Sequence, residues 1–245
     1  IKDSVPEIPG YIQETNMVRS ALKIDSGTGK VEVTGKIGSQ RTLWELDVNN
    51  TNDVTFDGSI QLSDDYYNGK QFYSDMNIHS TGKITMKDFV DATGNINIGY
   101  DKAGNTINTG AVEAVSTLTA ENGNVVIGSS TGRAASALLK GQVTAGAGVS
   151  IYTSGDVESD AGILAKGNDN TALGSGLATP KVAGNVVIND SGAESKITLK
   201  GNTTVGSSVD TKDDITLYGD KMDLQGPVIT NGTTGVVTVS NYTKG

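Results

Sequence analysis

The sequence predicts an all-β fold, a parallel β-helix in which short strands coil into stacked rungs. Three observations predict it: one short phrase recurs along most of the chain, apolar and polar residues alternate within it, and the composition favours many small turns. The phrase is a turn residue or two, an alternating apolar stretch, and often a glycine. In chain order it reads Gly29-Lys30-Val31-Glu32-Val33, Asp53-Val54-Thr55-Phe56, Gly82-Lys83-Ile84-Thr85-Met86, Gly94-Asn95-Ile96-Asn97-Ile98-Gly99, Gly123-Asn124-Val125-Val126-Ile127-Gly128 and Gly148-Val149-Ser150-Ile151. It returns as Gly184-Asn185-Val186-Val187-Ile188, Lys196-Ile197-Thr198-Leu199-Lys200-Gly201, Asp214-Ile215-Thr216-Leu217-Tyr218-Gly219 and Gly235-Val236-Val237-Thr238-Val239. Such a unit buries its apolar face only against the next one, which is the logic of a solenoid.

Within each phrase the side chains alternate: Ile96 and Ile98 point one way, Asn95 and Asn97 the other. This period of two belongs to a half-buried strand. Weaker strands of the same kind lie between the phrases, at Leu22-Lys23-Ile24, Leu46-Asp47-Val48, Ser59-Ile60-Gln61-Leu62, Met76-Asn77-Ile78 and Met222-Asp223-Leu224. Ala111 to Ala120 and Arg133 to Leu139 carry helix-like composition, but their flanking glycines and their place between phrases predict strands or turns. At the strand spacing of about 4.8 Å, roughly ten to twelve rungs make a rod of about 50 Å.

Only 5% of the residues are aromatic while 32 of 245 are glycine, a balance that suits many short strands and not a large aromatic core. With four prolines and no Gly-X-Y period, collagen is excluded. The formal charge of -9, with scattered Lys and Arg, predicts no nucleic-acid partner and no anionic membrane partner. The absence of cysteine excludes disulfides, thiolate metal sites and a cysteine nucleophile. No apolar run reaches the roughly 18 to 20 residues of a membrane-spanning helix. The start, Ile1-Lys2-Asp3-Ser4-Val5-Pro6, has neither an initiating Met nor the apolar core of a signal peptide, which predicts a fragment of a larger chain. Residues 1–20 read as a lead-in segment, and 21–245 as continuous repeats with excursions at 63–75 and 165–180.

The phrases Gly94-Asn95-Ile96-Asn97-Ile98, Ala120-Glu121-Asn122-Gly123-Asn124-Val125-Val126-Ile127 and Ala145-Gly146-Ala147-Gly148-Val149-Ser150-Ile151 resemble the filamentous-haemagglutinin-like repeats of large bacterial exoproteins. The resemblance covers roughly residues 20–240. It implies a right-handed parallel β-helix, exported by a two-partner or autotransporter route through an outer-membrane transporter, and located on the cell surface or shed outside it. Members include adhesins, contact-dependent toxins, haemolysins and leukotoxins. The asparagine-proline signatures of that family's amino-terminal export domain are absent, which fits an internal or later segment.

Candidate chemistry is sparse. His79 is the one histidine, and without a Gly-x-Ser-x-Gly elbow it reads as a solvent-facing residue at a strand end. Asp64-Asp65, Asp213-Asp214 and the alternating Asp156, Glu158 and Asp160 each place acids within reach of one another. Glycoside hydrolysis needs such a pair with a sugar platform between, but acid pairs at turns are ordinarily solvated caps. No metal or cofactor is predicted: the calcium-binding nonapeptide, the EF-hand loop and the phosphate loop are all missing. Asn49, Asn189, Asn202, Asn231 and Asn241 begin Asn-x-Ser/Thr sequences, which a chain rich in Asn and Thr generates by chance. Tyr66, Tyr67, Phe72 and Tyr73 form an aromatic run, the candidate ligand-binding residues for a host-cell glycan or protein; alternatively, the run folds its rings back over a rung. Trp44, between Leu43 and Leu46, reads as core or cap packing.

The expectation is therefore a non-enzymatic stalk and display segment of a secreted or surface adhesin. A polysaccharide-degrading β-helix of tailspike or lyase type is the rival, and a leukotoxin or haemolysin segment shares the scaffold.

Overall fold

The computed structural model describes residues 20–39, 43–67, 70–167, 184–192, 194–206, 213–231 and 234–241, with backbone alone at 65–67 and 70–71. Every described element is a strand. The first tiers hold β1 (Ala21–Asp25) and β2 (Val31–Val33), then β3 (Glu45–Thr51), β4 (Val54–Phe56) and β5 (Ile60–Leu62). A side hairpin follows, β6 (Asp65–Tyr67) and β7 (Lys70–Phe72). The stack resumes with β8 (Asp75–Ser80), β9 (Ile84–Met86) and β10 (Val90–Ala92), then β11 (Ile96–Ile98), β12 (Thr109–Ala114) and β13 (Leu118–Ala120). Above lie β14 (Val125–Ile127), β15 (Ala134–Leu139) and β16 (Val143–Ala145), then β17 (Val149–Thr153), β18 (Val157–Ser159) and β19 (Ile163–Ala165). The last tiers are β20 (Asn185–Asp190), β21 (Ile197–Leu199) and β22 (Thr203–Val205), then β23 (Asp214–Tyr218), β24 (Met222–Leu224) and β25 (Val228–Thr230), and finally β26 (Val237–Ser240).

Register turns this order into a three-faced parallel solenoid. On the first face β1, β3, β8, β11, β14, β17, β20, β23 and β26 pair in sequence, nine tiers among the described residues. The second face runs from β2 through β4, β9, β12, β15, β18 and β21 to β24, and the third from β5 to β25. Only the β6–β7 pair is antiparallel among the named strands. Inward positions coincide from tier to tier, so Leu46, Met76, Ile96, Val125, Val149, Val186 and Ile215 form one column, each fully buried. Stacking like on like fills the interior without a large aromatic core, Phe56 being its bulkiest member. At the far end Leu224, Val237 and Val239 stay exposed because no described rung covers them.

Both helix-like stretches are strands, β12 and β15. Val112 and Ala114 stack on Ile84 and Met86 and carry Ala137 and Leu139 above, so the interior column overrides alanine's helical preference. The excursion expected at 63–75 contains the β6–β7 hairpin, whereas most of the one at 165–180 lies outside the described residues, as does the lead-in segment up to residue 19.

The recurrent Gly-Asn has a mechanical origin at one corner. Asp75 Oδ1 accepts the Asn95 N–H at 2.6 Å, Asn95 Oδ1 accepts the Asn124 N–H at 2.9 Å, and Asn124 Oδ1 accepts the Gly148 N–H at 3.0 Å. Each side-chain oxygen thus satisfies a backbone donor of the next tier that the sheet leaves open. The preceding glycine is needed for clearance: a Cβ on Gly123 would lie 2.4 Å from the Gly94 carbonyl oxygen.

Ion pairs run along the second face. Glu113 receives Lys83 and Lys140, each at 2.8 Å, and the hydrogen bonds from Lys140 and then Lys83 hold its carboxyl down to about 2. A folded pKa below the unfolded value of about 4.5 adds stability above that value and loses it as pH falls toward 2. Glu113→Gln is therefore expected to lower the thermal midpoint at pH 7, with the gap to the parent closing between about pH 4.5 and 2. A gap that persists unchanged at pH 2, followed by circular dichroism, would contradict this role.

Candidate functional site: an aromatic and acidic cleft on the first face

Outward residues of the first face line up as strictly as the inward ones. Asp47, Asn77 and Asn97 occupy one outer column of β3, β8 and β11. Asn77 Nδ2 donates to Asp47 Oδ1 at 3.0 Å, and Asn97 Nδ2 donates to Asn77 Oδ1 at 2.9 Å. Asp47 and Asn77 are almost fully buried, so this ladder forms a polar floor with fixed donors and acceptors.

Three rings rise around that floor, from residues flanking successive strands of the same face. Trp44 precedes β3, Tyr73 precedes β8 and Tyr100 follows β11, and together they wall a cleft of about 370 Å3. That size falls within the roughly 300–1,000 Å3 of small-molecule sites. Tyr100 is tethered by its hydroxyl, which donates to the Gly128 carbonyl at 3.2 Å. Burial raises the Tyr73 hydroxyl above its ordinary value, with Asp64 adding to the effect, and burial does the same at Tyr100.

One short loop after β11 forms the outer wall. Ile107 N–H donates to Gly99 O at 3.0 Å, and Asp101 N–H donates to Asn105 O at 3.1 Å, closing the loop at its base. Asp101 then accepts the Asn105 backbone N–H at 2.8 Å and side-chain amide at 2.7 Å, and the side-chain bond leads in holding its carboxyl low. The loop presents Lys102, whose Nζ lies 2.6 Å and 2.7 Å from the two oxygens of Glu45 and 5.7 Å from the centre of the Trp44 ring.

Of the aromatic run expected to bind, Tyr73 lines the cleft and Phe72 is half-buried in β7, while the side chains of Tyr66 and Tyr67 lie outside the described residues. Trp44 departs from the expectation of core packing: it sits at the bend before β3, outside the strand's alternation, is half-buried and lines the outer cleft. His79 is half-buried on β8 beside a second hollow lined by Asn50, Thr51 and Thr81. The acid pairs act as caps and ion-pair partners: Asp213 accepts the Gly184 N–H at 2.8 Å, Asp156 accepts the Lys196 N–H at 2.8 Å, and Lys200 joins Glu158 and Asp160. The Asn189 side-chain oxygen accepts from Arg133 at 2.9 Å, so this sequon is tied into the stack.

Elsewhere, on the third face, burial raises the carboxyls of Asp91 and Glu121, and for Glu121 the charges of Asp91 and Asp64 add to it. Asp64 is the member of the Asp64-Asp65 pair that this group includes. Among the described residues no set of three or more His, Cys, Asp or Glu is arranged to hold a metal ion, and no helix is long and apolar enough to cross a membrane. No family model, curated protein or solved structure matches the chain.

Sequence reasoning missed Glu45, Asp47, Asp75, Asn77, Asn97, Tyr100, Asp101 and Lys102 as a site because they come from separate rungs; Lys102 and Glu45 are 57 positions apart. The available signal was an aromatic flanking each of three successive phrases of one face.

Proposed function

We propose that this chain is the structural and adhesive segment of a large secreted or cell-surface bacterial exoprotein of filamentous-haemagglutinin-like type, a stiff stalk that offers a glycan-binding cleft to host cells. The observation that carries it is the cleft of Trp44, Tyr73 and Tyr100 over the Asp47–Asn77–Asn97 ladder. Ring faces cover the C–H face of a sugar while fixed amides and carboxylates read its hydroxyls. Glu45, Asp75 and Asp101 are each held by a donor of the chain itself, which suits recognition better than proton transfer. Export through an outer-membrane transporter belongs to the same proposal, as does the toxin variant of the scaffold.

Polysaccharide cleavage remains the second reading, favoured by the raised carboxyls of Asp91 and Glu121 on the third face. One experiment separates the two: the purified chain is applied to host cells and a glycan panel, and sugar release is recorded in the same samples. Saturable retention without release is the expected result. Release of reducing sugar that Asp91→Asn abolishes would replace the adhesive reading by the enzymatic one.

A further inference from the structure

We propose that the cleft selects a protonated amino sugar of glucosamine type, whose ammonium group takes the position that the Lys102 ammonium holds on Glu45 and Trp44. This deepens the glycan-binding proposal and rests on it.

The position is built for a cation. Glu45 exposes only 7% of its side chain and meets Lys102 with both oxygens, at 2.6 Å and 2.7 Å. The same ammonium stands 5.7 Å from the Trp44 ring centre, within cation–π range. A carboxylate together with an aromatic face is a general means of recognising an ammonium ligand. Asp47 and Asp75 also favour the charged form of Lys102, after Glu45, so the field at this point is negative from three sides.

Lys102 is a replaceable occupant. Its side chain is 52% exposed and hangs from a surface loop, so it swings out without disturbing an interior column. Glu45 cannot follow it into water, because β3 fixes it in the first face. Once Lys102 leaves, the buried carboxylate demands another cation. A ligand ammonium restores the pair, whereas an acetylated amine leaves the charge uncompensated, and the difference is the source of selectivity.

The rest of the cleft indicates that the ammonium is carried on a sugar. Tyr73 and Tyr100 supply further ring faces, and Asn77 and Asn97 supply amides at the spacing of successive rungs. A lysine side chain of a partner would leave these groups unused. Repeated equatorial hydroxyls of an oligosaccharide would engage them.

The test compares the parent chain with Lys102→Met, using glucosamine tetramer, N-acetylglucosamine tetramer and lysine methyl ester as probes in calorimetric titration. Removing the internal competitor is expected to raise affinity for the glucosamine tetramer about tenfold or more and to leave the acetylated tetramer unaffected. Glu45→Gln is expected to erase the preference for the amine. Circular dichroism of both variants checks that the strands persist. Equal binding of the two tetramers would overturn the amino-sugar assignment while leaving a glycan cleft. Lysine methyl ester binding as tightly as the sugar would overturn the sugar part. Failure of both tetramers, with other panel glycans retained, would overturn this inference alone; retention of no glycan at all would overturn the cleft as a glycan site.

Discussion

Replacing Gly123 by valine is expected to lower the thermal midpoint of the chain by roughly 4–16 °C. The added Cβ would meet the Gly94 carbonyl oxygen at 2.4 Å, its carbon at 2.5 Å and Asn95 Oδ1 at 2.7 Å. None of these atoms is the tip of a flexible side chain on open ground. The carbonyl belongs to the adjacent backbone, and Asn95 Oδ1 is already engaged by the Asn124 N–H at 2.9 Å. Neighbouring tiers are held about 4.8 Å apart by their hydrogen bonds, so relief requires opening the ladder locally. Overpacking of this kind costs about 1–3 kcal/mol, and a broken capping bond adds about 1 kcal/mol. For a chain of this size each kcal/mol shifts the midpoint by roughly 2–4 °C. Because each rung touches only its neighbours, the damage divides the stack at this corner instead of dispersing. Gly35→Ala is the control: a Cβ there meets nothing within 4 Å, and its midpoint is expected to stay with the parent or rise slightly. If the two variants melt alike, the register at the Gly94–Gly123 corner is not the one described.

That corner also marks where the sequence was legible. The alternation in Ile96-Asn97-Ile98 and Val125-Val126-Ile127 directly implies an inward and an outward row, and those inward residues do stack, Ile96 under Val125 and Ile98 under Ile127. The glycine and asparagine before them were visible as a motif, while their work became visible only with the side-chain bonds between tiers. Long-range register was not legible. Asp75 and Asn95 are 20 positions apart, Asp47 and Asn77 are 30, and both pairs are rung neighbours. With rungs of unequal length, local patterning cannot say which outward residues share a column. Trp44 shows the consequence: two flanking leucines suggest burial, yet the residue sits at the bend before β3, outside the strand's alternation, and lines the outer cleft. Lys102 was still less accessible, since a loop lysine and a strand glutamate carry no mutual signal in the chain.

Truncating Trp44 to alanine is expected to weaken binding of host cells and of immobilised glucosamine oligosaccharides by about thirtyfold, with the strand content unchanged. A central aromatic in a binding surface contributes about 2 kcal/mol or more when removed, and 1.4 kcal/mol corresponds to a factor of ten. Trp44 belongs to none of the inward columns and is half-buried on the outer face, so its loss leaves the interior filled. It also supplies the ring beneath the Lys102 ammonium, a contact that a bound cation would share. Tyr66→Ala with Tyr67→Ala provides the decisive contrast, because these residues belong to the side hairpin and not to the stacked strands of the first face. If the hairpin variant binds as the parent does while Trp44→Ala fails, the cleft carries recognition and the hairpin is a neighbour. The reverse pattern would move recognition to the hairpin, leaving Tyr73 as the residue through which the two surfaces meet.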